Sequence, residues 1–255
     1  MRSRAWGAVM KVRQVENVLD LLEMFARAKT PHTLTGVSAA LGLPKSSTFN
    51  LIETLVDRGI LYETRQRGGY YPTRKLFDLA REIMDGDMVL KRINGELQRL
   101  AAETGETAVL SVRDGDDIRY VDVVESSALI RYIVKVGERR PVYATSSGKA
   151  ILSSLPEPAR TKALQSLTLV AYEQTTARTV EELAAVLDES IARGWSEDLG
   201  EYTPEVMGMG VPIVHHDRRY GLAIAGPISR MQSRRLDLAE TLKAAAERIH
   251  KVLED

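Results

Sequence analysis

Apolar residues recur at helical spacing from Val12 to Ala28. Val15, Val18, Leu19, Leu22 and Phe25 or Ala26 share one face, the three- and four-residue rhythm of an amphipathic helix. Thr30-Pro31 ends it. A second, shorter helix is predicted over Gly36–Leu41, with Thr35 as its N-cap. At Gly42 a positive φ permits a tight exit, and Pro44 suits the first position of a third helix. That helix is expected to turn Phe49, Ile52, Leu55 and Val56 inward and to close at Arg58-Gly59. Ile60–Glu63 and Gly69–Pro72 are β-like runs joined by Thr64-Arg-Gln-Arg-Gly68, which reads as a hairpin, or wing. Helix, tight turn and helix is the layout in which the second helix enters the DNA major groove.

The pattern then changes. Arg74–Asp85 predicts a separate helix with Leu76, Leu79 or Ala80, Ile83 and Met84 on one face, and Gly86 marks its break. A further helix, Met88–Glu103, carries Val89, Ile93, Leu97 and Leu100. This places a winged helix-turn-helix domain in residues 1–75, a linker helix in 76–90 and a second domain in 91–255. Strand-like runs follow at Glu106–Arg113 and Ile118–Glu125, around the turn Asp114-Gly-Asp-Asp117, and at Ile130–Val136. Met207–His215 and Tyr220–Ala225 read as paired strands around His216-Asp-Arg-Arg219. Helices are predicted at Ser146–Leu155, Val180–Arg193 and Ser233–Leu253. Hairpin strands flanked by helices give an α+β fold with a sensor-like sheet.

Charge sharpens this division. The 255 residues carry no net charge, yet residues 1–75 hold 12 Lys/Arg against 6 Asp/Glu, and the rest 23 against 29. A basic front on an acidic body is the asymmetry of one domain that meets phosphates and another that does not. There is no cysteine, so disulfides, thiol catalysis and cysteine-type zinc sites are excluded. No apolar run approaches the roughly 18 residues of a membrane span. Met1–Lys11 lacks the apolar stretch of a signal peptide, so a cytoplasmic protein without a membrane partner is expected.

The third helix should present Lys45, Ser46, Ser47, Thr48 and Asn50 at its N-terminal end, where base edges are reached first. Thr35 joins them from the preceding helix. Asn50 can pair bidentately with adenine, and Arg65 and Arg67 in the wing would meet the backbone or minor groove of double-stranded DNA. Thr145-Ser-Ser-Gly148 precedes the apolar Ala150–Leu155. Its N–H groups and the hydroxyls of Ser146 and Ser147 form a ready anion site, and simple N-capping explains the serines equally well.

Other signals carry less. His215 and His216, adjacent on a strand, should point to opposite faces, a poor geometry for a shared metal, so structural or surface roles are expected. Ser147-Gly-Lys149 resembles a Ser-Lys pair but lacks an oxyanion hole or a third group. Gly208-Met-Gly210 is no phosphate loop, since no Lys-Ser/Thr follows. No catalytic residue, metal site or cofactor is expected. The alternative to a DNA-binding regulator is a metabolite-binding protein or enzyme with a degenerate helix-turn-helix, against which the basic front speaks.

Five segments, in order and at the right spacing, resemble the IclR-type bacterial transcriptional regulators. They are Gly42-Leu-Pro-Lys-Ser-Ser47, Leu55-Val-Asp-Arg-Gly59, Ala144-Thr-Ser-Ser-Gly-Lys-Ala150, Gly194-Trp-Ser196 and Ala225-Gly-Pro-Ile-Ser229. The resemblance spans nearly the whole chain. It implies a winged helix-turn-helix, a linker helix and a GAF/profilin-like effector domain, in homodimers or dimers of dimers that sense small organic acids and control catabolic genes. It carries an effector carboxylate to Thr145, Ser146 and Ser147, and other pocket positions to Leu129, Tyr132, Asp198, Gly208, Ala223 and Ala225. Three departures stand out. Asn50 replaces a common Arg, so the operator sequence does not carry over. Ala223 and Ala225 replace hydroxyls found in members that bind very small oxo-acids, and Gly208 replaces a common Cys. The pocket is therefore expected to favour an aromatic or otherwise apolar carboxylate. Arg131 is a possible counter-charge, although strand alternation sets it opposite Tyr132.

Overall fold

The computed structural model of the chain describes residues 12–64, 68–85 and 88–254. They form two compact units, divided between Gly86 and Asp87.

The first unit contains α1 (Arg13–Ala28), β1 (His32–Thr33), α2 (Leu34–Leu41), α3 (Lys45–Asp57), β2 (Leu61–Glu63), β3 (Gly69–Pro72) and α4 (Lys75–Asp85). The strands pair antiparallel in the order β1-β3-β2. Leu21 and Phe25 of α1, Val37 of α2, Ile52 and Leu55 of α3 and Leu61 of β2 close into one core. Gly42 takes φ +62° between α2 and α3, the left-handed exit that a residue without Cβ makes at little cost. The cap of α2 is Thr33, not Thr35: the Thr33 hydroxyl accepts the Gly36 N–H at 3.2 Å. Pairing of His32-Thr33 with Tyr70 and Gly69 holds the chain extended up to that cap, so the helix starts two residues earlier. The expected break at Gly86 lies outside the described residues.

The second unit runs α5 (Met88–Thr104), β4 (Thr107–Asp114), β5 (Asp117–Val124), β6 (Arg139–Pro141), α6 (Ser146–Ser153), α7 (Glu157–Ser166), α8 (Val180–Arg193), β7 (Ser196–Leu199), β8 (Val206–His215), β9 (Arg218–Pro227), α9 (Ile228–Met231) and α10 (Arg235–Glu254). Six antiparallel strands lie in the order β6-β5-β4-β9-β8-β7. Side chains alternate between the two faces of the sheet. Leu110, Leu222 and Ile224 pack with Leu97, Leu242 and Ile249 of α5 and α10. Val109, Tyr120 and Ala223 face the other way, toward Ile151 and Leu152 of α6 and Leu183 and Leu187 of α8. Just ahead of β4, fully buried Glu106 accepts Arg230 of α9 on both carboxylate oxygens, each at 2.6 Å.

The strand expected at Ile130–Val136 does not form. That stretch makes no ladder pairing, and a three-residue strand appears beyond it at Arg139–Pro141, paired with β5. Only Val134 of the apolar run is buried, while Leu129, Ile130, Ile133 and Val136 are exposed. The segment is held by a side chain instead of a ladder: the Thr107 hydroxyl of β4 donates to the Tyr132 carbonyl at 2.6 Å. Among the described residues, no helix is long and apolar enough to cross a membrane.

Candidate nucleic-acid interface and ligand cavity

The inward face of α3 is Thr48, Ile52 and Leu55. Thr48 is 0% exposed and Phe49 47% exposed, so the helix is rotated by one position from the sequence expectation. Thr48 therefore drops out of the DNA-facing set: its hydroxyl donates to the Pro44 carbonyl at 3.0 Å inside the fold. The polarity of threonine misleads here, because a hydroxyl bonded back to its own helix buries as readily as a small apolar group. Phe49 takes its place on the open side with Lys45, Ser46, Ser47 and Asn50, all exposed, and Thr35 is exposed on α2. Phe49 was missed because its apolarity favours an inward reading, yet an aromatic side chain can also contact a thymine methyl in the major groove. No side chain caps α3, so the N–H groups of its first turn remain available to a phosphate. Arg65 and Arg67 lie outside the described residues.

In the second unit, α6 starts against the sheet. A Cβ at Gly210 would lie 2.7 Å from the Ser146 carbonyl oxygen, so glycine is what admits the backbone this closely. Between α6, the sheet and the turn after β7 lies a cavity of about 30 Å3. Of the residues expected there, Tyr132, Thr145, Ser146, Ser147, Asp198, Gly208, Ala223 and Ala225 line it. Leu129, placed there by the resemblance, does not: it is 95% exposed, in a stretch that forms no strand. Arg131 is also elsewhere, paired with Glu125 at 3.1 Å. With no strand at this point, the alternation argument does not apply to it. Val109, Tyr120, Ala144, Tyr202, Thr203 and Val206 complete the lining. Val109 could have been found from the ladder, since it pairs with Ala223. Tyr202 and Thr203 sit in an irregular turn that no periodicity marks.

Thr145 is the true N-cap of α6, accepting the Gly148 N–H at 3.3 Å. Ser146 and Ser147 are thus released from capping. They are 4% and 2% exposed, they line the cavity, and no hydrogen bond joins either hydroxyl to the described residues. The Ser146 N–H donates to Asp198 Oδ2 at 3.0 Å. Behind it Lys149, 0% exposed, pairs with Glu201 and donates to the Glu197 carbonyl at 3.0 Å. Burial raises the Asp198 carboxyl from 3.8 to about 7; Glu201 reinforces the rise, while Lys149 and backbone N–H bonds oppose it. Burial raises Glu201 as well.

Three tyrosines, Tyr120, Tyr132 and Tyr202, also line the cavity. Burial, then proximity to Tyr132, pushes the Tyr120 hydroxyl well above the usual tyrosine range. Arg140 lies 5.5 Å over the Tyr202 ring and pairs with Glu138 at 2.7 Å. Its register partner in the ladder is Ile118, a residue of the core on the cavity side of the sheet. Arg140 was not singled out in the sequence because that register depends on the unexpected β6. His215 and His216 do come together, with rings 4.1 Å apart, because His216 turns back through φ 50°. No cluster of three metal-ligating side chains occurs among the described residues.

A winged helix-turn-helix with a polar, uncapped second helix, joined to an α+β unit with a small cavity, defines a ligand-responsive DNA-binding regulator. Residues 14–65 match the IclR helix-turn-helix domain and residues 82–251 the bacterial transcriptional regulator IclR C-terminal domain. The chain belongs to the IclR family: it is a DNA-binding transcriptional regulator with an effector-binding C-terminal domain. It is 28% identical over 243 residues to the HTH-type transcriptional regulator KipR of Bacillus subtilis, covering 94% of this chain and 96% of that one. It is 28% identical over 246 residues to the transcriptional repressor IclR of Escherichia coli, covering 94% and 90%. The crystal structure of an IclR homologue from Microbacterium hydrocarbonoxydans, complexed with 4-hydroxybenzoate, shares the fold with a TM-score of 0.71 at 22% identity, over 94% of this chain and 99% of that one. The two curated relatives are transcriptional regulators, the same class that both family models give this chain.

Proposed function

We propose that the chain binds operator DNA as a homodimer or dimer of dimers, and that a small aromatic or otherwise apolar carboxylic acid in the cavity tunes this binding. The observation that carries the acid is the pair of buried, unpartnered serine hydroxyls at the start of α6. A carboxylate seated there gains hydrogen bonds and the favourable end of the helix dipole. Tyrosine and alanine walls suit an apolar body. The Microbacterium homologue holds an acid of this kind. A ring needs more room than about 30 Å3, and half-buried Tyr132 and Tyr202 would swing outward to admit it. The small volume supports a second reading, an acid of two to four carbons.

DNA contact is assigned to Thr35, Lys45, Ser46, Ser47, Phe49 and Asn50, with Arg65 and Arg67 from the wing. Self-association is supported by apolar side chains exposed just before α1 (Val12), along it (Val15 and Leu19) and on α4 (Phe77 and Ile83). The controlled genes are taken to be catabolic ones serving the same acid. A gel shift on the chain's own upstream DNA, with and without acids, tests the coupling. Thermal melts with benzoate, 4-hydroxybenzoate, pyruvate and glyoxylate test the ligand class, because a ligand at 100 times its Kd stabilises the native state by about 2.7 kcal/mol. Larger shifts with the aromatic acids support the first reading, larger shifts with the short acids the second. Absence of any shift rejects the carboxylate site.

A further inference from the structure

We infer that Asp198 is the specificity-determining proton donor of the cavity: it is protonated in the acid complex, so above neutral pH each carboxylate bound at the start of α6 is accompanied by uptake of one proton. This rests on the carboxylate reading above. Asp198 already directs Oδ2 at the Ser146 N–H, 3.0 Å away, one of the donors an incoming carboxylate needs. Gly208 permits this crowding, since a Cβ there would run into both Asp198 Oδ2 and Ser146 Oγ. The charges nearby are few. From α6 comes fully buried Lys149, from the turn after β7 comes Glu201, and the two pair. On β7, Glu197 is neutralised by Arg193 of α8 at 2.7 Å. From β5 comes Tyr120, from the neighbouring loops come Tyr132 and Tyr202, and from β6 comes Arg140. Arg140 pairs with Glu138, interacts with Tyr132 and Tyr120 and keeps a buried Nε unpartnered, and it touches neither Asp198 nor Glu201. One buried cation therefore faces two carboxylates, and an ionised effector would add a third. Like charges sharing one set of donors cannot all stay ionised in a poorly solvated site. A proton on Asp198 restores the balance and turns an acceptor into a donor aimed at the effector. Its raised pKa indicates that this proton is easily gained near neutrality. Among the described residues no histidine lines the cavity to supply the same coupling.

The test is calorimetric titration of the full chain with benzoate and with pyruvate, at pH 6 and pH 8, in phosphate and in Tris. Binding that requires a proton absent from the free protein above pH 7 should weaken about tenfold from pH 6 to pH 8. The two buffers, which differ in ionisation heat, should report close to one proton taken up at pH 8 and close to none at pH 6. Asp198→Asn, whose amide donates at any pH, should lose the pH slope while still binding acid. Acid binding with no proton uptake and no slope overturns the inference and leaves the carboxylate site standing. Binding of neither acid at pH 6 overturns both. The proton count on the unaltered chain decides even where the variant fails to fold.

Discussion

Replacing Asp198 by Asn should change how stability depends on pH in the absence of any ligand. The carboxyl stands at about 7 instead of an ordinary 3.8, chiefly because it is buried. In the unfolded chain it returns to the ordinary value. A carboxyl whose folded pKa is raised binds its proton more tightly in the native state. It therefore exacts no penalty below about pH 4, where both states are protonated. The penalty grows as pH rises towards about 7 and is constant above that. At about 1.4 kcal/mol per unit, the interval amounts to about 4 kcal/mol. The substitution removes a titrating group and keeps its shape, so the difference between wild type and variant isolates this contribution. Loss of the charged bond to Ser146 adds a roughly constant offset. Urea titrations of both proteins between pH 4 and pH 8.5, followed by far-UV ellipticity, should show the wild type losing about 4 kcal/mol relative to Asp198→Asn across that range, with the change complete near pH 7.5. A flat difference would mean that the carboxyl is not desolvated as its burial implies. A difference of opposite sign would mean that the Ser146 N–H and Lys149 outweigh burial and depress the pKa instead.

Lys45→Ala should weaken operator binding and lower the slope of log K against log salt by about 0.9, the signature of one lost phosphate contact; an unchanged salt titration would remove Lys45 from the interface. Phe49→Ala should weaken DNA binding without lowering the melting temperature, whereas Ile52→Ala, its buried neighbour, should lose about 2–5 kcal/mol of stability; the reverse pattern would show that α3 is rotated the other way. Gly210→Ala should cost about 1–3 kcal/mol, because its Cβ meets the Ser146 backbone, and a neutral result in a denaturant melt would show that α6 can move off the sheet. Arg230→Met leaves the fully buried Glu106 carboxylate without its partner and should cost about 3–5 kcal/mol in a denaturant melt at neutral pH; a neutral result would show that Glu106 finds another partner or reaches solvent.

The elements of the first unit are legible because each is announced locally. Gly42, Pro44 and the apolar spacing of α1 act within a few residues of themselves. The rotation of α3 is different: Thr48 and Phe49 are neighbours, and which of them faces α1 is a matter of fit, not of polarity. In the second unit the long strands and helices are visible by their periodicity, while β7, with sequence Ser-Glu-Asp-Leu, and β6, Arg-Arg-Pro, have no strand character. Pairing with β8 and β5 makes them strands. The low amphipathicity of Glu157–Ser166 similarly hides α7. The cavity was half legible: the serine turn is visible in its own residues, Asp198 and the alanines came from the resemblance alone, but Tyr120, Tyr202 and Val109 come from register and from an irregular turn.

By itself the sequence determined a basic helix-turn-helix on an acidic α+β body, with a helix start suited to an anion, since caps, turns, charge and periodicity act over short spans. Tertiary structure decided what long-range packing alone can decide. It buried Thr48 and exposed Phe49, left Leu129 in solvent, and sank Lys149 completely beneath the cavity. It also brought Asp198, 52 residues from Ser146 along the chain, into hydrogen-bonding reach of the N–H at the start of α6. Burial and charge balance depend on which distant segments meet, and no local pattern encodes that meeting.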